Sequence, residues 1–364
     1  MNYAVIIAGG IGKRLWPLSR ENKPKQVLRI LDDNQTLLGR CYHRLLSVFD
    51  PRNILILTKA GFSEMVCENL PEVPFNNVIE EPAVRDTAPA IALAASIISK
   101  SDQNATMAVI PADHLIKGEE NFRQALKDGI SFVNSNPETL MTFGVKPKGP
   151  DTQYGYIECS KAGKPEPKCK NRIFTVASFK EKPPKATARK YLEAGNFFYN
   201  SGMFIWKAET ILEKLNQFMP GAWEPLQQIR NYWDSPAQEK TFEDNFPKLP
   251  KISIDYAVME KSSDVYTIKL DCEWLDVGSF AAFADIVSSD ENDNIVIAQQ
   301  NQLLDCRDSI LVTEQKDHLL AGIGLEGMIV VQTPDATLIC SKDQAHRIKH
   351  LLEHIEKKSG KKFL

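Results

Sequence analysis

Short apolar runs alternate with helical patterns over the first part of the chain, and this alternation restricts the fold more than any other feature of the sequence. The apolar runs predict strands at Tyr3–Ala8, Asn53–Thr58, Met107–Ile110 and Leu140–Gly144. The helical patterns lie near Thr36–Ser47, Ala88–Ser99 and Glu119–Asn134. Strands that alternate with helices in this way form a parallel sheet covered on both faces. The sequence therefore predicts a doubly wound α/β domain.

The composition is that of a folded protein with one large domain and room for a smaller one. The chain has 364 residues, of which 43% are hydrophobic and 25% are charged, so it can bury a sizeable core. Its formal net charge of −3 at pH 7 gives no basic field over the whole molecule, and we therefore expect no nucleic-acid partner. The negative charge of a bound phosphate group therefore has to be neutralised by cationic side chains at its own binding site.

Cysteine spacing and the first residues of the chain both indicate a cytoplasmic protein. The seven cysteines are scattered and never spaced as Cys-x-x-Cys, which disfavours a disulfide framework and a zinc ribbon. The chain enters an apolar strand almost at once, without a signal-peptide pattern, and no window approaches the length of a membrane span. We therefore expect reduced thiols, a cytoplasmic location and no membrane partner.

A glycine-rich segment, Ala8–Leu15, follows the first predicted strand directly. Glycine lacks a Cβ atom, so its backbone can take positive φ values and bring N–H groups close to an anion. The segment does not fit a P-loop, because Ile7 stands where the first glycine belongs and Lys13 is followed by Arg14. It does not fit a dinucleotide fingerprint either, because Leu15 occupies the place of the third glycine. The segment predicts a phosphate-binding loop of another type, and the alternative is a plain turn between strand and helix.

A second group of cations follows the glycines at Lys23–Gln26, which has the sequence Lys-Pro-Lys-Gln. Such a segment, taken alone, is more typical of a solvated turn. Its closeness to the glycine-rich segment favours two sets of cations around one ligand. That arrangement suits a polyphosphate better than a single phosphate.

Two aspartates are candidates for a metal site. Asp113 closely follows the strand predicted at Met107–Ile110, and the C-terminal ends of parallel strands face the ligand crevice in open α/β sheets. Asp276 ends another short apolar segment much later in the chain. Magnesium binds one or two carboxylates together with substrate phosphates and water, so the pair predicts a Mg²⁺ site. Each aspartate can instead be a cap or turn residue, and His114 is interpreted as a neighbour because Mg²⁺ favours oxygen ligands.

Polar residues in the middle of the chain are candidates for binding a sugar phosphate. From Asp151 onward a Gly-, Pro- and Lys-rich composition predicts a loop-rich hairpin over the mouth of the sheet. Glu181 and Lys182 follow it, and such a pair can bind sugar hydroxyls and a phosphate group. Asn200 lies in an otherwise apolar stretch, where an amide can bind hydroxyls. The alternative for the Glu-Lys pair is a solvated strand end.

The predicted secondary structure changes beyond about Ser289, where short strands replace the alternation of strands and helices. Short β-branched strands are predicted at Ile295–Ala298, Ser309–Thr313, Met328–Gln332 and Ala336–Cys340. Strands at this spacing predict a small β-helix-like or β-roll module, which buries its apolar face by stacking. The unpaired strand edges at the ends of this module can bind a second copy of the chain. Lys342–Lys358 has apolar residues on one face and predicts an amphipathic helix that caps the module.

Taken in order, these motifs resemble the sugar-1-phosphate nucleotidylyltransferases, most closely the mannose-1-phosphate guanylyltransferase (GDP-mannose pyrophosphorylase) branch. The resemblance covers practically the whole chain. It rests on Gly9–Arg20, Pro24–Gln26, Glu81–Pro82, Arg85, Thr87–Pro89, Pro111–His114, Tyr154–Glu158, Glu181–Pro183, Asn200–Phe204, Ser253–Glu260 and Asp276–Ser279. The Trp-Pro-Leu-Ser run at Trp16–Ser19 separates the guanylyl branch from thymidylyl and uridylyl relatives.

The resemblance implies two domains. It predicts a Rossmann-like, doubly wound nucleotidyltransferase domain of the GT-A-like type over residues 1–288. It also predicts a small left-handed β-helix-like domain over residues 289–364. Because that domain mediates subunit contact in relatives, a homodimer is the expected assembly.

The resemblance also implies an activity, the transfer of GMP from GTP to mannose 1-phosphate with Mg²⁺ as cofactor. The residues implied for nucleotide binding are Ala8, Gly9, Gly10, Gly12, Lys13, Arg14, Glu81, Arg85 and Thr87. Those implied for catalysis are Arg14, Lys25 and Lys182. Those implied for the sugar are Glu181, Asn200 and Asp255, and those for the metal are Asp113 and Asp276.

Three other functions stay open on the residues alone. A related enzyme can use another hexose 1-phosphate or another nucleotide, because few contacts decide selectivity. A non-catalytic nucleotide-sugar sensor subunit is disfavoured by the retained charged residues. An NAD-dependent dehydrogenase, with Asp32 or Asp33 at the ribose, is disfavoured because Leu15 breaks the fingerprint.

Overall fold

The computed structural model describes residues 1–31, 35–161, 163 and 166–364, so Asp32 and Asp33 lie outside the described residues. The strands are β1 Asn2–Ile7, β2 Ile54–Lys59, β3 Val78–Glu81, β4 Thr106–Pro111, β5 His114–Lys117, β6 Leu140–Val145, β7 Tyr156–Cys159, β8 Ile173–Lys180, β9 Phe197–Lys207, β10 Val265–Leu270, β11 Glu273–Asp276, β12 Ile295–Ile297, β13 Gln300–Leu304, β14 Ile310–Thr313, β15 Leu319–Ile323, β16 Met328–Gln332 and β17 Thr337–Ser341. The α-helices are α1 Leu37–Leu45, α2 Ser63–Asn69, α3 Thr87–Ser101, α4 Glu119–Ser135, α5 Lys185–Ala194, α6 Ala208–Phe218, α7 Trp223–Tyr232, α8 Gln238–Asn245, α9 Ile254–Ala257 and α10 Ile348–Ser359. Among the helices within those ranges, none combines the length and apolarity needed to cross a bilayer.

The described chain divides into two compact units, and the backbone passes from one to the other several times. The first unit consists of Met1–Gly9, Cys41–Ala112 and Ile116–Trp274. The second unit consists of Gly10–Arg40, Asp113–Leu115 and Leu275–Leu364. The glycine-rich segment therefore enters the second unit after Gly9, and the two candidate metal ligands also belong to that unit.

A mixed sheet of nine strands is the framework of the first unit. Its order in the described part of the chain is β3-β2-β1-β4-β9-β6-β10-β8-β7. Strands β1 to β4 run parallel to one another, and this half confirms the predicted doubly wound α/β arrangement. β9 is antiparallel to both β4 and β6, so the other half of the sheet is mixed.

Helices cover both faces of this sheet. On β9, Phe204 and Trp206 belong to the apolar cluster that contains the buried side of α3. Between them, Ile205 faces α4, since a Cβ on Gly129 would lie 2.6 Å from Ile205 Cδ1. Alternate residues of a strand point to opposite faces, so α3 and α4 lie on opposite sides. Burial on both faces explains why β1 is an apolar run without alternation.

The segment that begins at Asp151 forms the hairpin that its composition predicts. β7 and β8 pair in the antiparallel direction, and β7 also pairs with β9. Asp128 of α4 holds the loop before β8, because its Oδ2 accepts the backbone N–H of Asn171 at 2.7 Å. The hairpin is thereby attached both to the sheet and to a helix.

The second unit contains the small β-helix-like module that the sequence predicts beyond Ser289. β12, β14 and β16 pair in parallel, and β17 closes their sheet in the antiparallel direction. β13 and β15 form a separate parallel pair. An apolar cluster packs Leu15 and Leu28 with residues of the module such as Ile310 and Val331. The module and the segment Gly10–Arg40 therefore share one core.

Two strands of this module are not among those predicted from the sequence. β13 has the sequence Gln-Asn-Gln-Leu-Leu and is largely exposed. β15 has the apolar sequence Leu-Leu-Ala-Gly-Ile, of which Leu320 alone is buried. Each of the two strands pairs in parallel with the other. A strand held in this way forms only where the rest of the fold keeps its partner strand in position.

Candidate functional site

The glycine loop, which we define as Gly10–Arg20, begins three residues after the end of β1. Ala8 still belongs to the sheet, because its N–H donates to the Leu57 carbonyl at 2.8 Å. That N–H is therefore not available to a phosphate group. Gly12 adopts φ 80°, in the left-handed region that disfavours residues with a Cβ. Its carbonyl accepts a hydrogen bond from Ser19 Oγ at 2.6 Å.

Lys25 packs directly against the glycine loop. A Cβ on Gly12 would lie 2.7 Å from Lys25 Cβ, so glycine is needed at this position for a second reason. The backbone N–H of Lys25 donates to the Ile11 carbonyl at 3.3 Å. Lys13, by contrast, is exposed. The loop and Lys25 thus form one packed piece, and the Lys13 ammonium lies in solvent.

Asp113 and Asp276 lie together in the second unit although they are far apart in sequence. β5 pairs with β11, and the N–H of Val277 donates to the Asp113 carbonyl at 3.3 Å. Carboxylate oxygens of both aspartates and a ring nitrogen of His114 lie within 4.8 Å of one another. His114, interpreted from the sequence as a neighbour, therefore contributes a possible third donor to this group.

The Lys25 ammonium lies between the two carboxylates. It forms an ion pair with Asp113, and its Nζ lies 3.8 Å from Asp276 Oδ1. Burial lowers the pKa of Lys25, but the charges of Asp113 and Asp276 outweigh burial and hold that pKa above its ordinary value. Burial likewise raises the pKa of Asp113, and the charge of Lys25 outweighs it so that the pKa lies below its ordinary value. Both groups are therefore ionised at neutral pH.

Arg14 adds a second cation to this group. A Cβ on Gly278 would lie 3.0 Å from Arg14 Nη2 and 3.3 Å from Asp276 Oδ2. Because glycine carries no side chain, the guanidinium and the carboxylate can both approach this point. The second unit therefore brings Arg14, Lys25, Asp113 and Asp276 together, as strand ends and nearby loops predict.

The donor set of this group fits a divalent cation. Asp276 Oδ1 is buried and accepts no hydrogen bond from any group that the structure describes, so a charged oxygen is left for a cation. Carboxylates are the ligands that suit Mg²⁺ and Mn²⁺, whereas an imidazole suits zinc, copper, iron or nickel. The Lys25 ammonium faces the same oxygens and competes with a metal ion for them.

A second cluster, in the first unit, is centred on Asn200. The Asn200 Oδ1 atom accepts hydrogen bonds from Gly202 N–H and Thr142 Oγ1, each at 3.2 Å. Because a backbone N–H can only donate, the orientation of the amide is fixed. Asn200 Nδ2 consequently donates to Asp255 Oδ1 at 2.7 Å. A register shift between Thr142 and Gly144 accompanies this arrangement, and bulges often re-aim a side chain next to a site.

Glu181 and Lys182 join this cluster as an ion pair, with Lys182 Nζ 2.5 Å from Glu181 Oε1. A Cβ on Gly155 would lie 2.5 Å from Glu181 Oε2, so Gly155 leaves room for the carboxylate. The Gly155 carbonyl accepts the N–H of Asn200 at 2.8 Å, which brings Glu181 near the amide. Lys182 has φ 41°, a conformation that is uncommon in non-glycine residues.

The electrostatics of this cluster raise the pKa of Asp255 and the pKa of Lys182. Burial raises the pKa of Asp255 to about 6, the charge of Glu181 adds to this, and the hydrogen bond from Asn200 opposes it. Burial lowers the pKa of Lys182, but the hydrogen bond to Glu181 and its charge outweigh burial and raise that pKa. Asp255 is therefore the titrating group of the cluster in the mildly acidic range.

We expect Asp255→Asn to change how the free energy of unfolding depends on pH. The pKa of Asp255 rises from 3.8 to about 6 on folding, so between these values the folded state binds more protons and stability falls as pH rises. At 1.36 kcal/mol per unit, the wild type loses about 3 kcal/mol by neutral pH, and the asparagine variant avoids this loss. Urea unfolding between pH 3.5 and 8 measures the slope. Asp285→Asn, at an exposed aspartate, is the control, and an unchanged slope in Asp255→Asn would contradict the assignment.

Two of the three residues implied for the base, Arg85 and Thr87, already have partners within the first unit. Glu81 ends β3, and burial raises its pKa to about 8, so its carboxyl is mostly protonated at neutral pH and can donate as well as accept. Thr87 Oγ1 accepts the N–H of Ile254 at 2.9 Å. Arg85 donates to the Pro247 carbonyl, while its Nε is buried and has no hydrogen-bond partner in the described part of the chain. Thr87 and Arg85 therefore both anchor this segment.

The first unit brings together Glu181, Lys182, Asn200 and Asp255, which the sequence singles out. It also places Thr142 against Asn200, and the spacing of the motifs does not predict this contact. The signal in the sequence that could have indicated this contact is the hydroxyl of Thr142. It lies within β6, a buried strand with the sequence Leu-Met-Thr-Phe-Gly-Val. A buried hydroxyl needs a hydrogen-bond partner, and the Thr142 hydroxyl has two acceptors within reach, the Met203 carbonyl at 3.1 Å and the amide oxygen of Asn200 at 3.2 Å.

Two family models match the chain. Residues 3–293 match the family described as Nucleotidyl transferase. Residues 299–355 match the family described as MannoseP isomerase/GMP-like beta-helix domain. The two matches follow one another along the chain, and the second falls on the β-helix-like module.

Similar proteins cover most of the chain. A mannose-1-phosphate guanylyltransferase of Klebsiella pneumoniae is 34% identical over 364 residues, which cover 99% of this chain and 75% of that protein. A mannose-1-phosphate guanylyltransferase of Escherichia coli is 34% identical over 357 residues, covering 97% of this chain and 73% of that protein. A crystal structure described as mannose-1-phosphate geranyltransferase from Thermus thermophilus superposes with a TM-score of 0.85 at 30% identity, covering 98% of this chain and 99% of that chain.

Proposed function

This chain belongs to the nucleotidyl transferase family, among its mannose-1-phosphate guanylyltransferases, and we propose that it transfers GMP from GTP to mannose 1-phosphate. The products are GDP-mannose and pyrophosphate. The observation that carries this proposal is the cluster of Arg14, Lys25, Asp113 and Asp276 in the second unit. Such a cluster can hold a highly charged triphosphate and a divalent cation. A related substrate pair, with another hexose 1-phosphate or nucleotide, remains the alternative.

The chemistry is an in-line displacement at phosphorus. A phosphate oxygen of mannose 1-phosphate attacks the α-phosphorus of GTP, a new P–O bond forms, and the bond to the bridging oxygen breaks to release pyrophosphate. The phosphate anion is itself the nucleophile, so the reaction needs no covalent intermediate on the protein. The protein has to align two anions and offset their repulsion.

The residues of the second unit bind the triphosphate in this proposal. Arg14 and Lys25 donate to its oxygens, Lys13 adds positive charge, and the backbone of Gly10 and Gly12 lies against the phosphates. Asp113 and Asp276 hold Mg²⁺, which when bound screens the phosphates and stabilises charge on the leaving group. Ala8 contributes through its position at the end of β1, since its N–H is used in the sheet.

The residues of the first unit bind the sugar phosphate and the base. Asn200, Asp255 and Glu181 offer both donors and acceptors to hexose hydroxyls, and Lys182 binds the phosphate of the sugar. The fixed amide of Asn200 supports this role because its orientation is set before a ligand arrives. Glu81, Arg85 and Thr87 remain the candidates for guanine, which offers two N–H donors and the O6 acceptor.

Product identification tests the proposed function. Purified protein is incubated with GTP, mannose 1-phosphate and Mg²⁺, and nucleotide sugars and pyrophosphate are measured. We expect GDP-mannose with GTP and much less product with ATP, UTP or dTTP. Chelation of divalent ions should abolish the reaction, and added Mg²⁺ should restore it. A product only with another nucleotide or hexose 1-phosphate supports the alternative, and no pyrophosphate release with any pair supports a non-catalytic sensor.

We expect Gly12→Ala to reduce GDP-mannose synthesis at least tenfold, because the added Cβ would displace Lys25. Gly61 supplies the matched control: it has φ 82°, and no described heavy atom lies within 4 Å of its Cβ position. Both substitutions force alanine into the left-handed region, at a cost of about 1–2 kcal/mol in the free energy of unfolding. Turnover and urea unfolding are measured for both variants. An equal loss of turnover in the two would contradict the role given to Lys25.

The division into domains at residues 288 and 289, the homodimer and the cytoplasmic location are also part of the proposal. No disulfide joins any of the described cysteines, which supports a reducing compartment. For the homodimer, the support is an exposed apolar face on the β13–β15 pair. Leu304 and Ile323 are partners in this pair and are 57% and 75% exposed. Apolar side chains grouped in this way are typical of a protein interface.

We expect the double substitution Leu304→Arg with Ile323→Arg to convert a dimer into a monomer, because it places two charges on each copy of the contact. Light scattering coupled to size-exclusion chromatography measures the mass. Val84, which is 58% exposed and lies in the first unit, gives the control Val84→Arg. A double variant that stays dimeric would move the interface elsewhere, and a monomeric wild type would contradict the homodimer itself.

A further inference from the structure

The guanidinium of Arg20 has a hydrogen-bond partner for each of its five N–H groups. Nε donates to the Pro17 carbonyl at 2.9 Å. Nη1 and Nη2 bind the two carboxylate oxygens of Asp335 at 2.9 and 2.7 Å. The remaining N–H groups reach Thr333 Oγ1 at 3.1 Å and the Phe363 carbonyl at 3.2 Å. Arg20 thus joins the glycine loop to the turn after β16 and to the segment after α10.

Other contacts join the same three pieces of the second unit. Trp16 Nε1 donates to the Phe363 carbonyl at 2.6 Å, and the Arg20 guanidinium lies 5.7 Å from the centre of the Trp16 ring. Lys361 Nζ lies 3.2 Å from Glu21 Oε2. We call Thr333, Asp335 and the segment Gly360–Phe363 the loop anchor. Two side chains of the glycine loop converge on one carbonyl of this anchor, which fixes the loop in position and orientation.

A short path leads from the loop anchor to the charged cluster. Ser19, the residue before Arg20, is buried and donates to the Gly12 carbonyl. Gly12 in turn lies against Lys25, whose ammonium pairs with Asp113. If Arg20 is displaced, Ser19 and Gly12 therefore move with it, and the position of Lys25 changes. The bidentate pair with Asp335 adds a fixed geometry that lysine cannot reproduce.

We propose that the loop anchor positions the glycine loop for the triphosphate. The β-helix-like module, which carries part of the anchor, therefore contributes to the geometry of the nucleotide site. Arg20 is a positioning residue in this arrangement, since it acts through Ser19 and Gly12. The identity of the ligand rests on the proposed function. The geometry of the anchor does not, because it is made by contacts within the second unit. The module therefore has a role beyond the subunit contact expected of it.

Arg20→Lys, Asp335→Asn and the double variant test this proposal in the full chain. We expect the KM for GTP to rise about tenfold in each single variant, with the KM for mannose 1-phosphate within about twofold of the wild type. The double variant should lose no more than either single one, because both break the same pair. Arg307→Lys is the matched control: Arg307 pairs with Glu326 at 2.7 Å on the same module, at an exposed position. It should leave both KM values unchanged.

Two results would overturn the loop anchor: an unchanged KM for GTP, whether or not the melting temperature falls, or an equal rise in the KM values for both substrates. Hydrogen exchange of the amides of residues 12–19 is a readout that needs no substrate, and Asp335→Asn should increase it. This readout also serves if Arg20→Lys does not fold. A wild type that makes no GDP-mannose would refute the proposed function alone. Unchanged exchange in Asp335→Asn would then refute the anchor.

Discussion

Lys25→Met should lower the rate of GDP-mannose synthesis at saturating substrates by about a thousandfold, which corresponds to roughly 4 kcal/mol of lost transition-state stabilisation. Methionine keeps most of the volume and the length of the side chain, so the packing against Gly12 is preserved. What is lost is a positive charge that faces both carboxylates of the second unit. In the proposed mechanism that charge offsets the repulsion between the two anionic substrates.

The same substitution should make the protein more responsive to divalent ions. Without the ammonium, Asp113 keeps its buried charge but loses its partner, and an uncompensated buried charge costs about 3–5 kcal/mol. A divalent cation can restore that compensation and no longer competes with Lys25. The melting temperature of Lys25→Met should therefore be lower without metal and should rise more steeply when Mg²⁺ or Mn²⁺ is added.

Lys342→Met is the control for Lys25→Met, because Lys342 pairs with Asp308 at 2.5 Å elsewhere in the second unit. It should retain turnover within about twofold of the wild type. Near wild-type turnover in Lys25→Met would refute the role given to Lys25. A smaller metal-induced shift than in the wild type would refute the competition between Lys25 and the metal ion.

Local pattern was sufficient to predict the parallel half of the sheet and to single out the two aspartates. β1 and β2 are buried on both faces, and such strands are visible as apolar runs between helical patterns. Asp113 follows β4 of the nine-stranded sheet, where ligands gather at the C-terminal ends of parallel strands. Asp276 ends β11 of a separate two-stranded sheet, and the pairing of β11 with β5 places it beside Asp113.

The sequence pattern does not predict contacts between segments that lie far apart along the chain. Arg20 and Asp335 are separated by most of the chain, and no periodicity connects a loop arginine with a turn aspartate. β13 is polar and exposed, so its pairing with β15 follows from the position of that partner and not from its own residues. Thr142 meets Asn200 because a register shift in β6 places them together. In each case the three-dimensional fold decides which partner a polar group meets.

Asp276→Asn should remove catalysis without destabilising the fold, and this combination separates a metal ligand from a structural residue. Asp276 Oδ1 is buried and accepts no hydrogen bond from the described residues, so removing the charge costs the native structure mainly the attraction to Lys25 Nζ, 3.8 Å away. The repulsion between Asp276 and Asp113 also disappears. We expect the free energy of unfolding without metal to stay within about 1 kcal/mol of the wild type. Turnover at low Mg²⁺ should fall about a thousandfold, because one of two carboxylates for the cation is gone.

The affinity for metal gives the second readout of Asp276→Asn. Binding of Mn²⁺, followed by calorimetry in the absence of substrates, should weaken by about 10- to 100-fold, and high Mg²⁺ should restore part of the turnover. Asp285→Asn makes the same change of charge at an exposed position a short distance along the chain, and should alter neither quantity. Unchanged Mn²⁺ affinity together with lost turnover would refute Asp276 as a ligand. Retained turnover would refute the catalytic site itself, since the charged cluster of the second unit depends on both aspartates.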